Sequence, residues 1–156
     1  MIRRTTILTL ACLLAGCAAP PRGQHAHIWS GRLGLQVFSE PPQSYHAAFE
    51  LQGSAQAGEL TLLSPLGAVM ARLQWDTRQA TLERNNERWQ QPSVDLLTQQ
   101  LIPASVPMAA LFDWLEGKPT VTPHWTVNLS GHADGRIQAQ RLDPLPRAEL
   151  RLVFDR

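Results

Sequence analysis

The stretch that decides the fold is residues 58–75, Gly58-Glu59-Leu60-Thr61-Leu62-Leu63-Ser64-Pro65-Leu66-Gly67-Ala68-Val69-Met70-Ala71-Arg72-Leu73-Gln74-Trp75. Polar and apolar side chains alternate over residues 59–62 and again over 69–75, a pattern typical of strands with one buried face. In the second run, the aligned apolar residues are Val69, Ala71, Leu73 and Trp75. The intervening residues 64–67 match a type I turn, with Ser first, Pro second and Gly fourth. The stretch therefore predicts a β-hairpin.

The same alternation extends to both sides of this hairpin. Further strands are predicted at residues 32–37, 47–52, 80–83, 125–129, 136–139 and 148–154. The connections within the first half are short, whereas parallel strands need long crossovers. The first half is therefore predicted to be an antiparallel meander.

The middle of the chain changes to a helical period. Ser93 can cap a first helix, whose apolar residues are Val94, Leu97 and Leu101. Pro107 suits the first turn of a second helix and Gly117 its end. The apolar residues of this second helix are Met108, Leu111, Phe112 and Leu115. We expect both helices to bury one face against the sheet.

These elements predict a mainly β chain with helices, of the α+β class. Its centre is a curved antiparallel sheet of at least eight strands, with two helices over the concave side. Such a sheet can close around a space for one small ligand. Residues 28–156 are enough for one domain with a real core.

Residues 1–16 predict a signal peptide. Arg3 and Arg4 precede an apolar run at residues 7–14, which is far shorter than the roughly 20 residues that span a bilayer. Leu14-Ala15-Gly16-Cys17 resembles the bacterial lipobox, in which the cysteine is lipidated and becomes the new N-terminus. The alternative is an ordinary secretory cleavage site with Cys17 as a bystander. Because Cys12 leaves with the signal, lipidation accounts for the remaining cysteine.

Residues 17–27 are predicted to be the lipidated N-terminus and a flexible tether, since they contain two adjacent prolines and no hydrophobic period. His25 and His27 fit a solvated linker better than a metal site, and we predict no metal. Removing Arg3 and Arg4 leaves 12 basic residues against 13 acidic ones, a formal charge of −1. No charged run indicates nucleic acid, and no glycine-rich phosphate loop is present.

Leu66 falls at the tip of the predicted turn, where polar residues are usual. One interpretation is that another loop or helix covers it, or that it is a single exposed apolar residue, which is common. The other is that it contacts a bilayer or a lipid-bearing partner, where burial would contribute about 1.5 to 3 kcal/mol.

The chain resembles the LolB family of outer-membrane lipoprotein receptors. The similar segments occur in the family's order and cover nearly all of the mature chain. They are Trp29-Ser30-Gly31-Arg32-Leu33, residues 58–67, Leu111-Phe112-Asp113-Trp114-Leu115-Glu116-Gly117, Gly135-Arg136-Ile137 and Leu150-Arg151-Leu152-Val153. Ser64 stands where the family commonly has an asparagine.

The resemblance implies an incomplete, eleven-stranded half-barrel lidded by helices, with an apolar cavity. It also implies that Pro65, Leu66 and Gly67 form the family's protruding membrane-insertion loop. The implied function is to accept triacylated lipoproteins from a periplasmic carrier of the LolA type and insert them into the inner leaflet of the outer membrane. The protein would be a monomer without cofactors, anchored through Cys17 at the periplasmic face and in contact with outer-membrane phospholipid. Ala18, in place of the Asp that retains lipoproteins at the inner membrane, implies outward transport.

Ten apolar residues are candidates for the cavity lining, with ordinary core packing as an equal alternative for each. They are Leu35, Val37, Phe49, Leu51, Leu62, Leu73, Trp75, Leu111, Trp114 and Leu115.

Two other functions are compatible with parts of the sequence. Ser130, His132 and Asp134 are the three residue types of a hydrolytic triad. Residues so close together in one turn rarely achieve the triad geometry, in which a third group orients the base that contacts the nucleophile. We therefore predict that the chain is not an enzyme. The other alternative is an outer-membrane scaffolding lipoprotein without lipid-transfer activity.

Overall fold

A computed structural model describes residues 27–156, which form one antiparallel sheet with two helices. The strands are β1 Ile28–Phe38, β2 Gln43–Gly53, β3 Gly58–Leu63, β4 Val69–Trp75, β5 Ala80–Arg84, β6 Glu87–Gln91, β7 Thr126–Asn128, β8 Arg136–Arg141 and β9 Arg147–Phe154. The helices are α1 Val94–Leu101 and α2 Met108–Leu115, and a short 3-10 turn spans His132–Asp134. The predicted signal peptide, Cys17 and nearly all of the tether lie outside the described residues.

The sheet is open, with the strand order β6-β5-β4-β3-β2-β1-β9-β8-β7. Every neighbouring pair is antiparallel, and the last strand returns to lie beside the first. The predicted meander, the two helices and the minimum of eight strands are confirmed. The described residues hold nine strands, against the eleven that the family resemblance implies.

The strand absent from the sequence prediction is β6. It contains a single large apolar residue, Trp89, among charged and amide side chains, so its alternation is weak. Asn85 and Asn86 connect it to β5 with φ angles of 52° and 63°. A two-residue loop with positive φ at both positions is the preferred hairpin connection, and Asn favours it. The Asn-Asn pair was therefore the signal that marked this strand.

The core lies on one face of the sheet, beneath the helices. Inward-facing residues of β1, β2, β4, β8 and β9 are buried together with both helices in one cluster. α1 packs against β5 and β6. The central strands supply Val37 and Leu51, and α2 supplies Trp114 and Leu115, all fully buried. This arrangement places the helices over the apolar face, as the spacing of their apolar residues predicts.

The helix ends are set by local chemistry and by one contact between the helices. The Ser93 side chain accepts a hydrogen bond from the N–H of Leu96 at 3.3 Å, as predicted for a cap. Pro107 stands one residue before α2 and not in its first turn. The Met108 N–H donates to the Asp95 carboxylate of α1 at 2.9 Å. This bond satisfies one of the backbone N–H groups that the start of a helix leaves without a partner.

Candidate functional site

A small apolar pocket lies between part of the sheet and part of the helix layer. Its volume is about 160 Å³. The sheet side consists of Leu33, Leu35, Tyr45, Leu60, Leu62, Leu150 and Leu152. The opposite side consists of Thr98, Ile102, Ala104, Ser105, Val106, Met108 and Leu111. Almost every lining group is a hydrocarbon side chain, so the pocket suits an apolar ligand.

Three of the ten predicted cavity residues line this pocket, namely Leu35, Leu62 and Leu111. The other seven are packed in the core, and they are Val37, Phe49, Leu51, Leu73, Trp75, Trp114 and Leu115. Alternation along a strand identifies the inward face but does not distinguish the part that touches helices from the part that borders a space.

The lining that the sequence analysis missed includes the connection between the two helices. Ile102, Ala104, Ser105 and Val106 border the pocket. These residues have neither a strand period nor a helical period, so no pattern assigned them to a face. Leu33 and Leu150, by contrast, belong to strands that were predicted, and their alternation contained the signal.

Two hydrogen bonds reach the backbone of this connection from side chains outside it. The Trp125 indole N–H donates to the carbonyl oxygen of Ser105 at 3.1 Å. The Arg141 guanidinium on β8 donates to the carbonyl oxygen of Pro103 at 3.4 Å. The connection therefore closes one side of the apolar pocket, and its backbone carbonyls accept hydrogen bonds from Trp125 and Arg141.

The β3–β4 turn has the predicted form. The Gly67 N–H donates to the carbonyl of Ser64 at 2.9 Å, and the Ser64 N–H donates to the carbonyl of Ala68 at 2.8 Å. Gly67 adopts a φ of 80°, which favours a residue without a Cβ. Leu66 is 97% exposed, so no loop or helix of the described chain covers it.

The exposed apolar surface extends beyond Leu66. Residues 65–70 are all exposed, and Val69 and Met70 retain 55% and 46% of their accessible surface. The prediction that Val69 faces inward with Ala71 is wrong. The register shifts at this point, since Leu62 pairs with Ala71 but Leu63 pairs with Val69, which leaves Met70 as an extra residue. Such a bulge redirects the strand end.

The serine, histidine and aspartate of the predicted alternative do not form a triad. The His132 Nε2 atom lies 2.9 Å from the carbonyl oxygen of Leu115. The Asp134 carboxylate accepts from Arg136 at 3.1 Å. No hydrogen bond joins the side chains of Ser130, His132 and Asp134 in the described structure. A nucleophile, base and orienting group in contact are therefore absent from this turn.

Residues 27–156 contain no group of three potential metal ligands. Within the same residues, no helix has the length and apolar character needed to cross a bilayer.

A family model described as "Outer membrane lipoprotein LolB" matches residues 26–153. The chain belongs to the LolB family. A LolB protein of Chromobacterium violaceum is 31% identical over 150 residues, which cover 90% of this chain and 79% of the relative. A LolB protein of Cupriavidus metallidurans is 31% identical over 153 residues, covering 88% and 74%. Both relatives are named outer-membrane lipoproteins.

LolB membership confirms the predicted family and the predicted location at the outer membrane as a lipoprotein. The attachment of lipid to Cys17 and the membrane role of residues 65–67 stay predictions. The match begins at residue 26, after the predicted signal peptide and most of the tether.

Proposed function

We propose that this LolB-family protein accepts triacylated lipoproteins from a periplasmic carrier of the LolA type and inserts them into the inner leaflet of the outer membrane. The observation that carries the proposal is Leu66, 97% exposed at the tip of a well-formed hairpin within a run of exposed apolar residues. A run of this length is unfavourable in water and is expected only where it contacts something apolar. A bilayer supplies such a contact.

The pocket between the sheet and the helices is the proposed site for the cargo's acyl chains. Its walls are almost entirely hydrocarbon, but its volume of about 160 Å³ lies below the range of about 300–1,000 Å³ common for ligand sites. Three acyl chains therefore require it to widen. We infer that the connection over residues 102–107 moves away from the sheet, because few backbone bonds hold it there.

The proposed transfer is physical and breaks no covalent bond. Each CH₂ group of an acyl chain contributes about 0.8 kcal/mol when it leaves water. A cargo that moves from the carrier to this pocket and then to a bilayer passes between apolar environments, so neither a nucleotide nor a cofactor is needed. We accordingly infer that the protein is not an enzyme and that it acts as a monomer.

The lipid on Cys17 and the hairpin tip have different proposed roles. Several acyl chains hold a protein stably on a membrane, whereas burial of Leu66 contributes only about 1.5 to 3 kcal/mol. The tether of about ten residues spans at most roughly 30 Å. In the proposal, Cys17 fixes the protein at the membrane, and Leu66 orients the domain for delivery.

The test is Leu66→Glu in a transfer assay from the carrier to liposomes. We expect the variant to accept lipoprotein normally and to deliver it at least tenfold more slowly, because a carboxylate at the tip disfavours entry into the bilayer. Val121→Glu is the matched control, since Val121 is an apolar residue of similar exposure, 91%, outside this hairpin. Both variants should unfold at the temperature of the unmodified protein.

Normal delivery by Leu66→Glu would overturn the role of the tip. Equal loss of delivery in Val121→Glu would attribute the effect to added charge and not to the position of Leu66. Failure of the unmodified protein to accept a fluorescent fatty acid in a saturable manner would favour the scaffolding alternative.

A further inference from the structure

A concave site lies beside the exposed run, where the β3–β4 and β5–β6 hairpins end together. Its volume is about 430 Å³, within the range of small-molecule sites. Val69 and Met70 form an apolar wall of this site. The remaining lining is polar and comes mainly from β4, β5 and the β5–β6 turn. The site opens to solvent at the same hairpin end that carries Leu66.

The charges of this site have both signs. Arg72, Arg84 and Arg88 supply three guanidinium groups, and Glu83 and Glu87 supply two carboxylates. In the sheet register, Glu83 stands opposite both Arg72 and Arg88, so positive and negative groups alternate across three strands. All five side chains are exposed. Because opposite residues share a face and successive residues alternate, Arg72, Glu83 and Arg88 lie on one face of the sheet, and the paired Arg84 and Glu87 lie on the other.

We propose that this site binds the headgroup of phosphatidylethanolamine in the membrane that Leu66 enters, an inference that rests on the proposed function. Arg72 and Arg88, which flank Glu83 on one face of the sheet, contact the phosphate, because guanidinium groups match phosphate oxygens in charge and geometry. Glu83 accepts hydrogen bonds from the primary ammonium group. Val69 and Met70 lie against the first carbons of the acyl chains. The mixed charge of the site thus complements a headgroup that is itself a zwitterion.

The existing ion pairs do not prevent this exchange of partners. Arg88 lies 3.5 Å from Glu83, with side chains 64% and 50% exposed. Arg72 lies 3.6 Å from Glu59, with side chains 45% and 26% exposed. Exposed pairs of this kind contribute about 0 to 1 kcal/mol. A phosphate and an ammonium group can therefore replace them without a large loss of stability.

The experiment measures binding of residues 18–156, which lack Cys17 and its lipid, to two kinds of vesicle. All described strands and helices lie within this segment. One vesicle contains phosphatidylcholine alone, and the other contains equal amounts of phosphatidylcholine and phosphatidylethanolamine. Phosphatidylcholine has a quaternary ammonium without N–H groups, so the comparison of the two vesicles tests the contact with Glu83. We expect tighter binding to the vesicles that contain phosphatidylethanolamine.

The double variant Arg72→Gln/Arg88→Gln should bind the mixed vesicles about tenfold more weakly, because it removes both charge-assisted contacts with the phosphate. The matched control is Arg78→Gln/Arg151→Gln, which removes the same charge elsewhere. The Asp76 carboxylate accepts from the backbone N–H groups of Arg78 and Gln79, and these bonds lower the pKa of Asp76. Arg78→Gln alters only the side chain, so the two backbone N–H groups that donate to Asp76 remain.

A second variant, Glu83→Gln, should bind both vesicles alike. A preference for phosphatidylethanolamine that survives in this variant would reflect looser lipid packing and would overturn the ammonium contact. Equal weakening in both arginine variants would overturn the phosphate contact.

Failure of this inference is distinguishable from failure of the proposed function. Leu66→Glu should lose binding to both kinds of vesicle. If it does so while Arg72→Gln/Arg88→Gln binds normally, the tip contacts the bilayer but the headgroup site is wrong. If Leu66→Glu binds both vesicles normally, the proposed membrane role of the tip is itself overturned.

Discussion

At the scale of single residues, two glycines permit different features of the structure. Gly67 completes the hairpin that exposes Leu66, and open space surrounds it. Gly31 lies where β1 meets β9, and a Cβ there would stand 2.7 Å from the Phe154 Cα atom and closer still to the carbonyl oxygen of Val153. Because these are backbone atoms, they cannot move aside alone. Gly31 therefore permits the pairing that closes the chain's last strand onto its first.

Gly31→Ala should lower the free energy of unfolding by about 3 kcal/mol, at the upper end of the cost of overpacking. The measurement is denaturant unfolding followed by tryptophan fluorescence. Gly34→Ala on the same strand is the control, since its added Cβ would meet only the exposed His46 ring at 3.2 Å. That ring can move, so we expect a loss below about 1 kcal/mol. Equal stability of the two variants would contradict the role of Gly31.

At the scale of elements, α1 and α2 behave as a pair because Asp95 joins them. Its carboxylate accepts from the Met108 N–H, the first residue of α2, at 2.9 Å. The connection between the helices borders the pocket and carries few other polar contacts. The Asp95–Met108 hydrogen bond therefore sets where α2 begins, and with it the position of the connection that lines the pocket.

Asp95→Ala should lower the free energy of unfolding by about 1 kcal/mol, the usual loss for a helix cap. It should also speed amide hydrogen exchange in the first turn of α2, with little change in β1 and β2. Asp95→Asn keeps an acceptor oxygen at this position and should retain most of the protection. Unchanged exchange in α2 of the alanine variant would show that the contact does not hold the helices together.

At the scale of the whole molecule, the sequence predicted the strands and helices better than it predicted which residues line the pocket. Alternation found eight strands because each has one face in the core. It missed β6, whose face carries a single large apolar residue, Trp89. It also missed the exposure of Val69, because a bulge depends on pairing with a distant strand.

The pocket shows the limit of periodicity most clearly. Leu35 borders the open space, whereas Val37, two residues further along β1, is fully buried in the core. Both face inward, and only the position of the helices and their connection distinguishes them. The position of Leu66 at the tip of the turn was predictable, because the residue preferences of a four-residue turn can be read from local sequence alone.

The central claim is that acyl chains of the cargo enter the pocket between the sheet and the helices. The most direct measurement is photocrosslinking with a triacylated lipopeptide that carries a diazirine near the end of an acyl chain, followed by mapping of the labelled residues. The account predicts labels on Leu62 and Leu111 at the pocket wall, and their loss when excess unlabelled lipopeptide competes. Labels confined to other exposed apolar residues, such as Phe38 and Leu142, would contradict it.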